Sequence, residues 1–559
     1  MKTYKILSLA AGLLLLSCMT GCEKQLDIQQ HGSIGVDEFY QSDADAESAV
    51  ANLYSVWRES FGHRMYLFTL LSDDSMRGGS SSNKYAPFAQ MASWTFNSGC
   101  SYVRNYYEDC YAIIYASNLI IDNITPDTDV KKQVVAEAKF FRGYSHLHLA
   151  ALWGETVPMV NHLLAPDEYH VTNSQPGEVW NLVESDLKDA IAVLPSKQGL
   201  GDKTVTRVTK EAAEVYLGKA YLWQKKYSEA RKEFEKVIDS NLYDLWDGNF
   251  EDMVHVATNN NCEKVLEAYV PEDSENMRAN GISSMSGGNT YLQMAGFYFS
   301  FFKASSDAKK QLATGDGWFP PRKGLYNAFV AEEGENGYRL NASIKTIKQM
   351  NDLGFTYEGK DMWCTDGFIN WKNRILNADL VGGAPTGRSA NTMFINYCYV
   401  RFAEVLLLAA EANLRASDGS QAKADNYVTR VRRRAKLSDK SNVTLDDIKT
   451  EKRLELCFEG VRYMDLIRWQ RIEGTHDAYN AMKDQDKEVY HIHGVQTGQD
   501  AKGNPVYQKD SDGNVVWEQY LANKYDDGGF KEGKHELLPY PLEEMDVNGS
   551  NINQNPNWD

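Results

Sequence analysis

Flat aromatic rings are the side chains of this sequence best placed to do chemistry, and the chemistry they suit is holding a ligand. The chain carries 32 tyrosines and 12 tryptophans, more than core packing requires. Many lie in an insertion from about Pro271 to Ala390, punctuated by Gly281, Gly287-Gly288, Gly315, Gly317, Gly382-Gly383 and Pro320-Pro321. There Tyr291, Phe297, Tyr298, Trp318, Tyr357, Trp363 and Trp371 can offer apolar faces to sugar C–H groups, while Asn, Asp and Arg side chains bond the hydroxyls. Trp318 leads, because Gly315-Asp316-Gly317 before it and Pro320-Pro321 after it predict an exposed turn. Phe297, Phe299, Phe301 and Phe302 read equally as core. A second irregular stretch, Ser72 to Asn97, reads as an exposed loop and adds Arg77, Tyr85 and Trp94. The candidate ligand-binding set is Arg77, Trp94, Tyr291, Tyr298, Trp318 and Trp363. Trp517 is a minor addition, and Arg77, Arg322 or Arg388 can create a local positive pocket.

Bond-breaking chemistry has weaker support. Asp316, Asp361 and Asp366 lie among the insertion's aromatics, and a glycoside hydrolase needs two carboxylates about 5 or about 6.5–9.5 Å apart. No nucleophile elbow, zinc-binding HExxH or phosphate loop is present. His146 and His148 stand two apart on a helix, so they diverge and predict no metal site. No cofactor is expected.

The elements that must position these residues read as helical. From Thr444 to Trp469 the sequence has a capping box, Thr444 with Asp447, and a stop expected at Gly460. Continued helical geometry puts Glu451, Glu455, Glu459 and Arg462 on one stripe and Leu454, Cys457, Phe458 and Val461 on another, with Arg453 facing away. Arginine paired to carboxylates beside apolar residues predicts a helix packed between others. Glu211 to Leu242 matches tetratricopeptide spacing through Leu217-Gly218, Tyr221, Tyr227, Ala230, Phe234 and Val237. A helix before Pro195 and a pair from Arg401 to Ala435, interrupted at Ser417 to Ser420, supply degenerate repeats, and Ala136 to about Gly154 reads as a further helix. In the acidic chain the basic run Arg430 to Lys436 predicts a solvated or carboxylate-paired face, not a nucleic-acid contact.

The N-terminus has Lys2 and Lys5, an apolar run from Ile6 to Leu16 and a small residue before Cys22. It predicts a signal peptide, since the run is too short to span a bilayer. Cys22, followed by Glu23-Lys24-Gln25, is preferred to Cys18 as a lipidation site; ordinary secretion is the alternative. The net charge is −18, and −20 once the first 21 residues are removed with Lys2 and Lys5, which disfavours nucleic acid as a partner. Cys100, Cys110, Cys262, Cys364, Cys398 and Cys457 remain, with no CxxC pair and no specific bridge predicted.

The stretch Thr444 to Trp469 resembles the hallmark of the SusD/RagB family of surface lipoproteins, through Arg453, Glu455-Leu456, Glu459-Gly460, Arg462, Asp465-Leu466 and Arg468-Trp469. Lys452 departs from it, standing where the family has an acidic residue. The ending resembles the family's too, through Pro539, Pro541, Gln554-Asn555 and Trp558, and Ala136 to Val160 resembles a second signature. By position Trp94, Tyr298 and Trp318 resemble the aromatic platform of glycan-binding members. The resemblance implies a mainly α fold, a tetratricopeptide-like scaffold carrying a loop-rich ligand face. It assigns structural roles to Arg453, Glu455, Glu459, Arg462, Asp465, Arg468 and Trp469. It also implies a non-catalytic lipoprotein of the outer membrane, facing the exterior, that passes oligosaccharides to a SusC-like TonB-dependent transporter. Capture of peptides is the alternative within the family. The expected divisions are a signal peptide at 1–21, a tether at 22–45, scaffold at 46–270, insertion at 271–390, scaffold again at 391–470, and loops with a C-terminal segment at 471–559.

Overall fold

A computed structural model describes residues 39–79, 86–271, 287–380 and 393–558. The expected signal peptide, Cys22, Tyr85 and Arg388 lie outside these residues. The chain is mainly helical, and its helices pack as antiparallel neighbours. Asp43–Glu59 (α1), capped by Ser42, leads into Phe61–Leu70 (α2). Ser101–Asn123 (α3) and Asp129–Trp153 (α4) follow, then Glu178–Val193 (α5). Lys210–Trp223 (α6) and Tyr227–Asp239 (α7) form the tetratricopeptide-like pair. Gly218 permits their close approach, because a Cβ there would stand 2.6 Å from the Phe234 ring. Two antiparallel strands, Lys264–Ala268 (β1) and Tyr397–Arg401 (β2), bracket the insertion. A short helix, Gly287–Ala295 (α8), is the insertion's first described element. After β2 come Phe402–Arg415 (α9), Gln421–Arg434 (α10), Leu445–Glu455 (α11) and Arg462–Glu473 (α12).

The largest core runs through these helices and takes in Trp57, Trp153 and Trp469. The insertion has a separate core of Phe297, Phe302, Phe355, Tyr357, Ile369 and Trp371. Short strand pairs frame it, Phe302–Ala304 with Phe355–Tyr357 and Ile344–Thr346 with Phe368–Asn370. Downstream, Glu488–Gly494 (β3) pairs antiparallel with Trp517–Lys524 (β4), and Ile492 bridges to Met362 of the insertion. The last residues return to the scaffold: Asn555 donates to the Trp153 carbonyl at 2.9 Å, and the Trp558 indole donates to Leu537 O.

Two expectations need correction. The Thr444 box is present, with Thr444 N donating to Asp447 Oδ2 at 2.8 Å and Asp447 N to Thr444 Oγ1 at 3.2 Å. The helix, however, stops at Glu455 and not at Gly460. Phe458 and Gly460 both take positive φ (64° and 70°), so residues 456–460 form a turn before α12. The Ser72–Asn97 stretch is likewise not wholly irregular, because Ala86–Ala92 is a short helix with Phe88 and Met91 buried.

Candidate functional site

Glu451 and Glu455 of α11 are buried and, with Glu459 in the turn that follows, are paired with basic side chains brought from elsewhere. Glu451 meets Arg339 at 2.6 Å and Arg432 at 3.2 Å; Glu455 meets Arg339, Arg401 and Arg434; Glu459 meets Arg401 at 2.7 Å and Lys372 at 2.6 Å. Burial works to raise the Glu455 pKa, yet the guanidinium groups of Arg434, Arg401 and Arg339 hold it at about 2. Lys452, the departure from the family pattern, closes on Asp465 at 2.7 Å, and Arg468 forks onto Glu411 together with the Trp469 indole. The basic run is carboxylate-paired as well, Arg430 to Asp244 and Arg433 to Asp439, and it reaches inward through Arg434 to Glu263 at 2.9 Å.

From the other side of α11, Arg453 reaches Asp74 at 2.7 Å and Asp73 at 2.9 Å, and Arg462 of α12 takes Asp73 at 2.8 Å. Burial opposes ionisation of Asp73, but these two arginines keep its pKa well below the usual carboxylate range. The clamp fixes the chain that leaves α2. Residues 75–79 then run antiparallel to 317–321, with Met76 N donating to Pro320 O at 2.9 Å, Phe319 N to Arg77 O at 3.1 Å and Gly79 N to Gly317 O at 3.1 Å. Arg322 braces the same ladder through Ser75 O and Asp486. Trp318 N also donates to Met294 O at 2.8 Å, which ties the turn to the end of α8.

Above this ladder opens a narrow cleft lined by Tyr298, Trp318, Pro320, Trp363, Phe368 and Asn370. Tyr298 and Trp363 are half-buried at its mouth, and Trp318 lies beneath. Trp363 stands edge-on to His491 with ring centres 4.7 Å apart, His491 to Tyr520 at 5.5 Å, and Tyr520 to His493 at 4.7 Å. A band of rings thus continues from the insertion onto β3 and β4, with Trp363, Tyr520 and His493 half-buried and His491 buried between them. Burial, aided by Arg77, lowers the His491 pKa, so its ring is neutral and its Nδ1 accepts from Cys364 N at 3.1 Å.

The cleft unites three of the six candidates, Tyr298, Trp318 and Trp363. Arg77 lies just behind it, buried, donating to Cys364 Sγ at 3.0 Å. Trp318 does not occupy an exposed turn. It is 3% exposed because Gly79 passes directly over the ring, so closely that a Cβ there would come within 2.7 Å, and Phe88 packs against it edge-on. Tyr291 and Trp94 are core residues. Tyr291 stacks on Phe319 and meets the Thr69 hydroxyl at 3.2 Å, with burial pushing its pKa up to about 12. Trp94 is 1% exposed, enclosed by Phe96, Tyr463, Phe530 and His535. Phe297, Tyr357 and Trp371 are buried in the insertion's own core. Trp517 is 37% exposed and rests on Gly367. Sequence reasoning missed Tyr520, His491 and His493; the period-two alternation of residues 488–494 opposite 517–524 was the available signal.

Rings at such a mouth can stack on a flat apolar face, and the ladder keeps them from collapsing inward. The insertion's three candidate carboxylates each have a polar neighbour. Asp366 accepts from Lys323 N at 2.8 Å, Asp316 is approached by Gln293 at 3.4 Å, and Asp361 stands 4.0 Å from His493. Among the described residues no group of three or more His, Cys, Asp or Glu is arranged to hold a metal ion.

Known proteins resemble this chain along nearly its whole length. The profile of the SusD family matches residues 297–558, and a profile described as starch-binding associating with outer membrane matches residues 27–222. SusD-like protein P2 of Formosa agariphila is 27% identical over 84% of this chain and 91% of its own. A SusD-like protein of Bacteroides ovatus is 23% identical over 84% and 83%. Among solved structures, a laminarin-binding SusD-like protein superposes with a TM-score of 0.71 at 24% identity, over 93% of this chain and 100% of that one. Surface glycan-binding protein A from Bacteroides thetaiotaomicron, in complex with laminarihexaose, gives 0.68 at 20% identity, over 92% and 99%.

Proposed function

The chain belongs to the SusD/RagB family, and we propose that it is a non-catalytic cell-surface protein that captures oligosaccharides across the cleft between Tyr298 and Trp363. The observation that carries this reading is the pair of half-buried rings held at the cleft mouth over a rigid, buried Trp318. The cleft itself is too narrow for a sugar ring, so a glycan lies across Tyr298 and Trp363 rather than inside, and His493, Asp361 and Glu518 bond hydroxyls along the band toward Tyr520. The names of the laminarin-binding and laminarihexaose-bound neighbours support a glycan as the ligand class. On this reading acylation at Cys22 holds the protein at the outer membrane and a SusC-like TonB-dependent transporter receives the cargo, as the family resemblance implies; no helix among the described residues is long and apolar enough to cross a membrane.

Affinity electrophoresis of the mature protein against laminarin, other neutral and acidic polysaccharides and peptide pools tests the ligand class. Retardation by at least one polysaccharide, with no shortened products after incubation, is the expected result. Retention by peptides alone, or enzyme-dependent cleavage, overturns it.

A further inference from the structure

Buried arginines in this scaffold come with carboxylates: Arg142 holds Asp186 at 2.7 Å, Arg339 holds Glu333 at 2.6 Å and Arg401 holds Glu459 at 2.7 Å. Arg64 on α2 differs from these. It is 5% exposed, and no carboxylate among the described residues pairs with it. Its Nη2 reaches the Gly460 carbonyl only at 3.4 Å, its Nη1 reaches Met65 Sδ at 3.4 Å, and its Nε has no partner. Contacts over the Phe68 and Tyr399 rings, at 5.0 and 5.3 Å, offset part of the cost but supply no charge. A guanidinium stays protonated at any pH the folded protein meets, so the charge cannot be shed.

Beside Arg64 lies a cavity of about 50 Å³ between α2, α4, α6, α9 and α12, lined among others by Phe68, His148, Tyr216, Lys219, Met464 and Asp465. The other charges facing it, and the partners that hold them, are already matched. Lys219 pairs with Glu404 at 2.8 Å, Asp465 with Lys452 at 2.7 Å, and Arg468 with Glu411 at 2.8 Å. With Arg64, four cations therefore meet three carboxylates. His148 cannot supply the missing negative charge. Burial, together with Arg64 and Lys219, keeps its ring neutral, and its Nδ1 is without a partner.

We propose that this cavity binds one small monovalent anion of the halide class, chloride in ordinary buffers, as the counter-ion of Arg64. One surplus positive charge calls for one negative charge. The volume holds a single dehydrated halide with a water or two, and the walls of Phe68, Leu147, Leu408 and Met464 favour a weakly hydrated ion over a multivalent oxyanion. The anion lies against the turn at Gly460 that sets Arg453 and Arg462 on their aspartates. The proposal is independent of what the aromatic cleft binds.

Crystals of the wild-type protein grown with bromide in place of chloride should give an anomalous peak in the cavity, in contact with the Arg64 guanidinium. In solution, replacing gluconate by chloride at constant ionic strength should raise Tm by about 1 °C per tenfold increase beyond half-saturation. Arg64→Met keeps the apolar stem and should abolish that dependence. An anomalous map with no peak there, or a wild-type Tm indifferent to chloride, overturns the proposal even if Arg64→Met fails to fold.

Discussion

Around Glu455 three guanidinium groups converge within a buried seam, whereas around Trp363 the neighbours are rings, one neutral imidazole and solvent. The seam stores its free energy in charges that cannot lose a partner cheaply; the cleft keeps apolar faces partly uncovered and its charges at the rim. One region answers to removal of a partner and the other to removal of a face, so variants in each should fail in different ways.

Acid should produce the largest effect, through the seam and through the Asp73 clamp, whose carboxylate is also held down by its arginines. Glu455 has a folded-state pKa of about 2 against an ordinary 4.5, so its contribution is fully present above pH 4.5 and is lost as pH falls toward 2. Circular dichroism during acid titration should show cooperative loss of helix across that window; a helical signal unchanged at pH 2 would contradict the assignment. Next, Arg401→Met takes one cation from each of Glu263, Glu455 and Glu459, leaving them Arg434, Arg339 and Lys372, and should cost about 3–5 kcal/mol in denaturant unfolding. Trp318→Ala follows at about 3 kcal/mol, because it empties a site enclosed by Gly79 and Phe88. If the folded variant is as stable as wild type, the ring is not a support. Smallest is Trp363→Ala, expected to weaken polysaccharide retention by roughly 1–3 kcal/mol with little change in Tm. A Tm drop as large as that of Trp318→Ala would erase the distinction between mouth and floor.

Local signals in the sequence were reliable where the partner lay within a few residues or one helix turn away. Thr444 and Asp447, three apart, define their cap unaided, and Gly218 with Phe234 is legible because a known repeat fixes the spacing. Trp318 shows the limit. Its flanking glycines and prolines describe a turn correctly, but the chain that covers it comes from 75–79, more than two hundred residues earlier. Arg453 likewise faces away from the acidic stripe as its helical phase requires, yet nothing near it announces Asp73 and Asp74. Trp94, set among small polar residues, acquires its walls from Tyr463, Phe530 and His535.

The clamp on Asp73 and Asp74 also sets an order of events. The Arg453–Asp74 pair spans 379 residues, and the bond from Asn555 to Trp153 spans 402. Entropy alone penalises such loops modestly, but contacts this distant slow folding, and the N-terminal part of a chain is made first. Asp73 and Asp74 therefore wait, unpaired and wet, until the last fifth of the protein has been delivered, even though the 75–79 strand finds its partner earlier, in 317–321. A chain that stalls before Arg453 can assemble its tetratricopeptide-like helices and still have no clamped floor beneath Tyr298 and Trp363, so the proposed ligand-holding competence would arise only at the end of maturation.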